Sequence, residues 1–215
     1  MSANDPHHGQ PVLTAGAPLT EAAGAMIMLH GRGANAADII GLARVFERAD
    51  IAYLAPDAAG NAWYPRPFMT PAAGNEPHLS SAKSVVARLI SEIELGGIPL
   101  EKIALLGFSQ GACLALEFAA RNPRRYGAVL ALSGGLIGDR IAADAYSGSL
   151  AGTPVFIGCS DVDPFIPLPR VQESAALMAH LGADVTERIY PGAPHTIVPD
   201  EVDNVRRILD LMVAG

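Results

Sequence analysis

The chain has 215 residues, of which half are hydrophobic and 17% are charged, and its formal net charge at pH 7 is −7. This length is enough for one domain with a sizeable core, and the negative charge argues against nucleic acid or an anionic membrane surface as the main partner. No apolar run approaches the ~20 residues of a membrane span, and the first residues lack the basic and apolar regions of a secretory signal. We therefore expect a cytoplasmic protein without a membrane span.

The first residues of the chain are polar and contain proline. This composition predicts a mobile tail over residues 1–10, and residues 1–20 are assigned to this tail together with a candidate edge strand. Residues 21–215 show no internal repeat and no shift in composition. They are therefore predicted to form a single domain.

The first half of that domain alternates between apolar runs and amphipathic segments. A strand is predicted over 25–29, a helix with an apolar face over 36–48 and a second strand over 51–55. Residues 57–78 are rich in proline and have no periodicity. They are predicted to form a long surface loop, and loops of that length are usually functional or disordered. Helical spacing of apolar residues resumes over 79–95.

The second half continues the alternation to the end of the chain. Its strands are nearly continuous apolar runs, which suit a parallel sheet covered on both faces, except that the last strand alternates with polar residues as near an edge. The predicted strands cover 103–106, 128–132, 154–158 and 185–190, and the predicted helices cover 112–122, 167–181 and 200–213. The whole pattern predicts an α/β fold with a mostly parallel, doubly wound sheet.

The most informative motif is the pentapeptide Gly107-Phe108-Ser109-Gln110-Gly111, which follows a predicted strand and precedes a predicted helix. A G-x-S-x-G sequence at such a junction is typical of the α/β-hydrolase fold, where the sharp turn exposes the hydroxyl of a nucleophilic serine. The alternative is an ordinary tight turn between a strand and a helix. The motif makes Ser109 the candidate nucleophile of an α/β hydrolase that has no large lid domain.

The loop over residues 30–33 follows the first predicted strand and is rich in glycine. Ligands of such sheets bind beyond the carboxyl ends of the strands. Backbone N–H groups of this loop can donate to a developing oxyanion, and the backbone N–H of Gln110 is the second expected donor. Dinucleotide binding is a competing interpretation, because residues 31–36 loosely match a G-x-G-x-x-A motif and Asp57 follows at a suitable distance. That interpretation leaves Ser109 unexplained.

Two later loops carry residues that can activate a serine. Asp161 and Asp163 follow a predicted strand, where either carboxylate can orient a histidine or cap the next helix. His195 lies in a loop rich in glycine and proline after the last strand. The chain order of Ser109, an aspartate and His195 is the order expected of an α/β hydrolase. Weaker candidates for the base are His30, which more simply supports its loop, and His78 and His180.

Four stretches carry a resemblance to a known family, namely residues 29–33, 107–112, 163–167 and 192–195. From about residue 20 to its end, the chain resembles the phospholipase/carboxylesterase family of small α/β hydrolases, which includes acyl-protein thioesterases and bacterial carboxylesterases. The resemblance implies hydrolysis of carboxylic esters, with thioesters as a further option, and no cofactor. No cluster of residues has the spacing of metal ligands, so no metal is expected.

The resemblance also implies roles for particular residues. It selects Asp163 over Asp161 as the orienting carboxylate, and it implies the backbone N–H groups of Arg32 and Gln110 as the oxyanion donors. The chain departs from the acyl-protein thioesterases at residues 32–34, where those proteins carry a hydrophobic residue followed by Gly-Asp. This departure argues against long-chain acyl-protein substrates.

Aromatic residues near the strand ends suggest a small acyl or alcohol pocket. The candidate lining residues are Trp63, Tyr64, Phe68 and Phe165. The alternative is that the aromatic residues of the 57–78 loop only pack that loop onto the sheet. The charged residues Arg32 and Glu76 either pair with each other, or Arg32 meets an acidic substrate.

Cys113 and Cys159 lie in apolar surroundings and are expected to be buried free thiols, which are inert. The sequence thus predicts a serine hydrolase that cleaves small to medium carboxylic esters through an acyl-enzyme on Ser109. A small-molecule ester is the expected partner, and the protein is expected to be a monomer or a homodimer. The alternatives are an acyl-protein thioesterase or lysophospholipase, or a non-catalytic ligand-binding protein on the same scaffold.

Overall fold

A computed structural model describes residues 5–214 of the chain. Within these residues there are seven strands, namely β1 (Val12–Gly16), β2 (Gly24–Leu29), β3 (Ile51–Pro56), β4 (Ile103–Phe108), β5 (Ala128–Leu132), β6 (Pro154–Ser160) and β7 (Asp184–Tyr190). The α-helices are α1 (Ala36–Ile40), α2 (Leu42–Phe46), α3 (His78–Leu95), α4 (Gln110–Arg121), α5 (Leu168–His180) and α6 (Pro199–Ala214). In this described part of the chain, no helix combines the length and apolar character needed to cross a membrane.

The seven strands form one sheet in the order β1-β3-β2-β4-β5-β6-β7. Strand β1 runs antiparallel to β3, and all other neighbours are parallel. The predicted mostly parallel, doubly wound sheet is confirmed, and β7 lies at the edge that its polar alternation predicted. Because β2 and β4 to β7 are parallel, the loops after these strands meet at one edge of the sheet, where ligands of this architecture bind.

The core consists of two apolar clusters, one on each face of the sheet. Helices α3, α4 and α5 cover one face, and α1, α2 and α6 cover the other. Every residue of β2, β3 and β5 is buried. Burial on both faces is the reason that these strands are apolar at consecutive positions and do not alternate.

Two of the predicted elements differ from the structure. The single helix predicted over 36–48 is wrong in its extent: two short helices, α1 and α2, meet at Gly41, and Glu47 in the left-handed conformation ends the second one. The long loop over 57–78 is present, and it contains short 3₁₀ turns at Ala59–Asn61 and Ala72–Asn75. The apolar residues of α1 and α2 still pack on the sheet. The periodicity therefore predicted the buried face of this segment correctly, but it did not predict the interruption at Gly41.

The tail predicted over residues 1–10 is wrong at His7, whereas Met1–Asn4 lie outside the described residues. His7 is 1% exposed. Its backbone N–H donates to Ser81 Oγ, and its Nε2–H donates to the carbonyl oxygen of Trp63 at 2.9 Å. The segment before β1 is therefore packed onto the start of α3 and onto the 57–78 loop.

Candidate active site

Ser109 lies on the turn between β4 and α4, at the centre of the sheet. Its backbone has φ 55° and ψ −118°, a conformation that costs a residue with a side chain about 1–3 kcal/mol. Such a strained turn lifts the hydroxyl out of the backbone, as the G-x-S-x-G motif predicted. The backbone N–H of Ser109 donates to Leu132 of β5, which ties the turn to the neighbouring strand.

The two glycines of the pentapeptide allow a very close approach of strand and helix. A Cβ atom on Gly107 would lie 2.2 Å from the backbone of Gly111, and one on Gly111 would lie 2.1 Å from the carbonyl oxygen of Leu29. Neither distance is compatible with a side chain, because the opposing atoms belong to the backbone. The glycines therefore permit the turn that exposes Ser109.

Three side chains from separate loops form one chain of hydrogen bonds. His195 Nε2 lies 2.9 Å from Ser109 Oγ, and His195 Nδ1 lies 2.6 Å from Asp163 Oδ2. Asp163 follows β6 and His195 follows β7, so both reach Ser109 from the same edge of the sheet. The structure brings together Ser109 and His195, which the motif and the loop positions selected, and Asp163, which the family resemblance selected over Asp161.

The carboxyl group of Asp163 is fully buried yet well supplied with hydrogen-bond donors. Its Oδ1 accepts from the backbone N–H groups of Phe165 and Ile166 at 2.8 and 3.0 Å. Burial opposes ionisation, but the hydrogen bonds from His195 and these two N–H groups outweigh it and lower the pKa of Asp163. The charged carboxylate keeps a proton on Nδ1 of His195, so Nε2 is free to accept from the serine hydroxyl.

Asp161, the other aspartate of this loop, has a structural contact. Its Oδ1 accepts from the backbone N–H of Gly192 at 2.8 Å, in the loop that carries His195. The rings of Phe108 and Phe165 pack on the imidazole of His195, with centroids 4.9 and 5.0 Å away. These contacts restrict the position of the imidazole from several sides.

A cavity of about 600 Å³ opens above Ser109, within the range of small-molecule sites. Three of the four predicted pocket residues, Tyr64, Phe68 and Phe165, line it, and so do Arg32 and Gln110. Most of the remaining lining residues are small or apolar, namely Gly31, Ala34, Pro65, Pro67, Phe108, Cys113 and Ile166. The cavity thus offers an apolar surface next to a hydroxyl.

The prediction that Trp63 lines the pocket is wrong. Trp63 is fully buried, and its Nε1–H donates to the carbonyl oxygen of His30 at 2.9 Å. The alternative, that an aromatic residue packs this loop onto the sheet, holds for Trp63, whereas Tyr64 and Phe68 contribute to the cavity. The indole ring of Trp63 anchors the loop in the interior, and the next residue, Tyr64, lines the cavity.

Of the two interpretations of Arg32 and Glu76, the one in which they pair with each other is wrong. The guanidinium of Arg32 donates to the carbonyl oxygens of residues 64–66, whereas the carboxylate of Glu76 accepts from the backbone N–H and the hydroxyl of Ser80 at the start of α3. Glu76 therefore binds the first turn of α3. Arg32 connects the glycine-rich loop to the 57–78 loop through these hydrogen bonds.

His30 supports its loop, as predicted. Its Nδ1–H donates to the carbonyl oxygen of Gly31 at 2.7 Å, and its Nε2 accepts from the backbone N–H of Ala58. Burial lowers the pKa of His30, which favours the neutral imidazole at neutral pH, in the tautomer that these two hydrogen bonds require. Asp57 accepts from the backbone N–H of Ala36 at 2.6 Å. Because Asp57 already binds the first turn of α1, the dinucleotide interpretation loses its ribose-binding acid.

Both cysteines are free and buried. Burial raises the pKa of each thiol to about 12, so neither Cys113 below Ser109 nor Cys159 is a thiolate at neutral pH. Cys159 Sγ lies 3.8 Å from Asp163 Oδ2. The prediction of inert thiols agrees with these surroundings.

Glu201 is a feature of this region that the sequence did not reveal. It lies in the first turn of α6 and is 1% exposed. Its Oε2 accepts from the backbone N–H of Val198, at the end of the His195 loop. Its Oε1 is buried, and no residue within 5–214 provides it with a hydrogen bond. Burial raises the pKa of Glu201 to about 7, although the Val198 N–H opposes this shift.

The raised pKa of Glu201 predicts a pH-dependent stability. A carboxyl group that binds its proton more tightly in the folded state stabilises the fold at low pH, and this stabilisation is lost as the pH rises to about 7. The side chain of Glu201→Gln stays neutral at both pH values. At pH 8 its free energy of unfolding is therefore expected to exceed that of the wild type by about 3 kcal/mol, and at pH 4.5 the two should differ little. Urea unfolding at both pH values measures this. Glu21→Gln, at an exposed position, is the control, and an equal effect of Glu201→Gln at both pH values would contradict the prediction.

The sheet, the strained serine turn and the hydrogen-bonded serine, histidine and aspartate define an α/β hydrolase. The sequence profile of the phospholipase/carboxylesterase family matches residues 15–213. The protein belongs to that family, as the motifs predicted.

Individual relatives agree with this assignment. A phospholipase/carboxylesterase from Dyadobacter fermentans is 46% identical and superposes with a TM-score of 0.90, over 94% of this chain and 97% of that one. Esterase PE8 is 26% identical with a TM-score of 0.74, over 94% and 98%. Acyl-protein thioesterase 1 of Gibberella zeae is 38% identical over 120 residues, which cover 55% of this chain and 51% of that protein. The chain thus spans about half the length of the curated relatives it matches.

Proposed function

We propose that this protein is a serine hydrolase that cleaves carboxylic esters, and thioesters by the same chemistry, through an acyl-enzyme on Ser109. The observation that carries the proposal is the chain of hydrogen bonds from Asp163 through His195 to Ser109 at the base of an apolar cavity. The family and the names of its relatives support it, since these include a phospholipase/carboxylesterase and an esterase.

In the proposed mechanism, His195 takes the proton of the Ser109 hydroxyl as the oxygen attacks the substrate carbonyl. Asp163 stabilises the imidazolium that forms. The backbone N–H groups of Arg32 and Gln110 donate to the oxyanion of the tetrahedral intermediate, where one donor contributes about 3–4 kcal/mol. His195 then protonates the leaving alcohol or thiol, and a water molecule activated by the same histidine releases the acid from Ser109.

The cavity suggests substrates with small to medium acyl or alcohol groups. The rings of Phe68 and Phe165 line it, and so do Tyr64 and Pro65, whose carbonyl oxygens accept from Arg32. The relatives named acyl-protein thioesterase point to thioesters as a second substrate type, but the apolar space of about 600 Å³ suits a short chain better than a long one.

A series of p-nitrophenyl esters from acetate to palmitate tests this size limit. We expect kcat/KM to be highest for chains of about four to eight carbons and to fall toward palmitate. Phe68→Ala removes a ring that lines the cavity, so its optimum is expected to move to longer chains. A wild-type preference for palmitate would contradict the size limit.

Labelling with a fluorophosphonate separates the proposed hydrolase from a non-catalytic binding protein on the same scaffold. We expect one equivalent of probe per chain, located on Ser109 by mass spectrometry, because only an activated serine reacts rapidly. Ser109→Ala should remain unlabelled. A wild type that binds esters without being labelled and without releasing alcohol would favour the binding protein.

The compartment belongs to the same proposal. Cys113 and Cys159 are free thiols in buried positions, which suits the reducing cytoplasm. The protein is proposed to act there on small-molecule esters.

A further inference from the structure

The two residues proposed as oxyanion donors are joined by their side chains through a single segment of the 57–78 loop. We propose that residues 63–66, here called the brace, are a positioning element that sets the distance between the backbone N–H groups of Arg32 and Gln110. The inference rests on the proposed function, because it concerns the oxyanion site of that reaction.

Gln110 contacts the brace through both ends of its amide. Its Oε1 accepts from the backbone N–H of Trp63 at 2.8 Å, and its Nε2–H donates to the carbonyl oxygen of Tyr64 at 2.8 Å. Gln110 is only 6% exposed, so these bonds are shielded from water. The first residue of α4 is thereby held to the brace at two points.

Arg32, in the glycine-rich loop after β2, contacts the same segment. Its Nη1–H donates to the carbonyl oxygen of Pro65 at 3.0 Å, and its Nη2 donates to those of Tyr64 and Arg66 at 2.7 and 3.1 Å. The planar fork of a guanidinium donates to these three carbonyl oxygens from two separate nitrogen atoms in a fixed geometry, whereas a lysine would donate from a single nitrogen and an apolar side chain could not donate at all. This explains why position 32 is an arginine, although only its backbone N–H is proposed to act on the oxyanion.

The carbonyl oxygen of Tyr64 is the point where the two side chains meet. It accepts from Arg32 Nη2 and from Gln110 Nε2. The side chains of Arg32, from the glycine-rich loop, and of Gln110, from the start of α4, are thus linked by two hydrogen bonds to one atom. A displacement of this carbonyl would move both residues, so the separation of their backbone N–H groups is set by the brace and not by either element alone.

The brace is itself anchored in the interior. Trp63 is fully buried, with its Nε1–H on the carbonyl oxygen of His30 and its own carbonyl oxygen on His7 Nε2. At the other end, the backbone N–H of Arg66 donates to Asn75 Oδ1 at 2.8 Å. The segment that holds the donors is therefore tied at both ends to packed parts of the molecule.

Arg32 needs such an anchor because its own loop is locally permissive. It lies between Gly31 and Gly33, it is exposed, and Gly33 has φ +81°. Catalytic groups must be held within about 0.5 Å of their working position. The side chain of Arg32 supplies this restraint. Tyr64 and Pro65 of the brace also line the cavity, so a bound substrate would contact the same segment that positions the two backbone N–H groups.

The test compares Arg32→Ala and Arg32→Lys with the wild type, using a p-nitrophenyl ester and counting active sites with a fluorophosphonate. We expect Arg32→Ala to lower kcat per active site about tenfold with KM changed less than about twofold, because the restraint acts on the oxyanion more than on the bound ester. Arg32→Lys, which can serve fewer of the carbonyls, should lose less. Arg44→Ala, an exposed arginine on α2, is the matched control and should match the wild type.

A second readout separates positioning from a general structural effect. An alkylboronic acid forms a tetrahedral adduct on the serine and places an oxygen at the oxyanion site, so its Ki for Arg32→Ala is expected to rise by about the factor by which kcat falls. Gln110→Ala combined with Arg32→Ala should lose less than the product of the single effects, since both act through Tyr64.

Four outcomes decide the inference. An active wild type with unchanged kcat and Ki in Arg32→Ala overturns the brace and leaves the proposed function standing. A loss in Arg32→Ala that disappears when kcat is expressed per labelled site also overturns it. If Arg32→Ala fails to fold, Arg32→Lys decides. A kcat and a Ki equal to those of the wild type would overturn the inference, and an intermediate loss would support it. A wild type that hydrolyses no ester overturns the proposed function and the brace together.

Discussion

Ser109→Ala is expected to lower the kcat of ester hydrolysis by about 10⁵-fold or more, since removing a serine nucleophile that acts with its histidine removes nearly all chemical acceleration. The fold should persist, because the substitution deletes one oxygen atom and the hydrogen bond to His195 Nε2. The melting temperature is expected to stay within a few degrees of the wild type. Ester turnover and thermal unfolding of the same preparation measure both effects.

The matched control for this variant is Ser91→Ala. Ser91 lies exposed on α3, where its hydroxyl donates to the carbonyl oxygen of Ala87, so its activity should be unchanged. Turnover by Ser109→Ala above about one hundredth of the wild-type rate, from protein free of contaminating esterases, would show that another group attacks the ester.

Asp163→Asn is expected to lower kcat by about 10⁴-fold. The amide can still accept from the backbone N–H groups of Phe165 and Ile166 through its oxygen, which directs its NH₂ group at His195 Nδ1. His195 would then carry its proton on Nε2 and could no longer accept the proton of Ser109. The kcat of purified Asp163→Asn with a p-nitrophenyl ester tests this.

Asp161→Asn is the control that the chain itself supplies, because it makes the same chemical change two residues away. Its side-chain oxygen can still accept from the backbone N–H of Gly192, so we expect a loss of less than about tenfold. A larger loss from Asp161→Asn than from Asp163→Asn would mean that the structure has the wrong aspartate facing His195.

The sequence predicted the sheet because burial on both faces leaves a simple pattern of consecutive apolar residues. It also selected Ser109 and His195, since each lies in a short loop directly after a strand. Asp163 was different. Position alone left Asp161 equally suitable, and only the family resemblance separated them. The distance of 2.6 Å to His195 Nδ1 supplies the physical reason for that choice.

Other features could not be predicted because they depend on contacts between residues far apart in the chain. The burial of His7 comes from Trp63 and Ser81, and nothing in its polar neighbourhood indicates this. Glu201 has the position of an ordinary surface acid in the first turn of a helix, which favours negative charge. Its burial follows only from the packing of α6 against Gly158 of β6.

Trp63 and Tyr64 illustrate the same limit at a single step of the chain. Both are aromatic residues of one loop, and both are nearly inaccessible to solvent, yet only Tyr64 lines the cavity. Aromatic composition indicated a loop close to the site. Which ring faces the site is decided by the hydrogen bonds that Trp63 makes inside the molecule.

The hydrogen-bonded chain at the site has a consequence for how folding can be followed. It joins Ser109 of the β4 turn to residues after β6 and β7, the last strands in sequence, and such non-local contacts form slowly. An intermediate with only β1 to β5 assembled would contain Ser109 without His195, its proposed base. During refolding, recovery of ester hydrolysis should therefore lag behind recovery of helical circular dichroism and report when the β7 edge has joined the sheet.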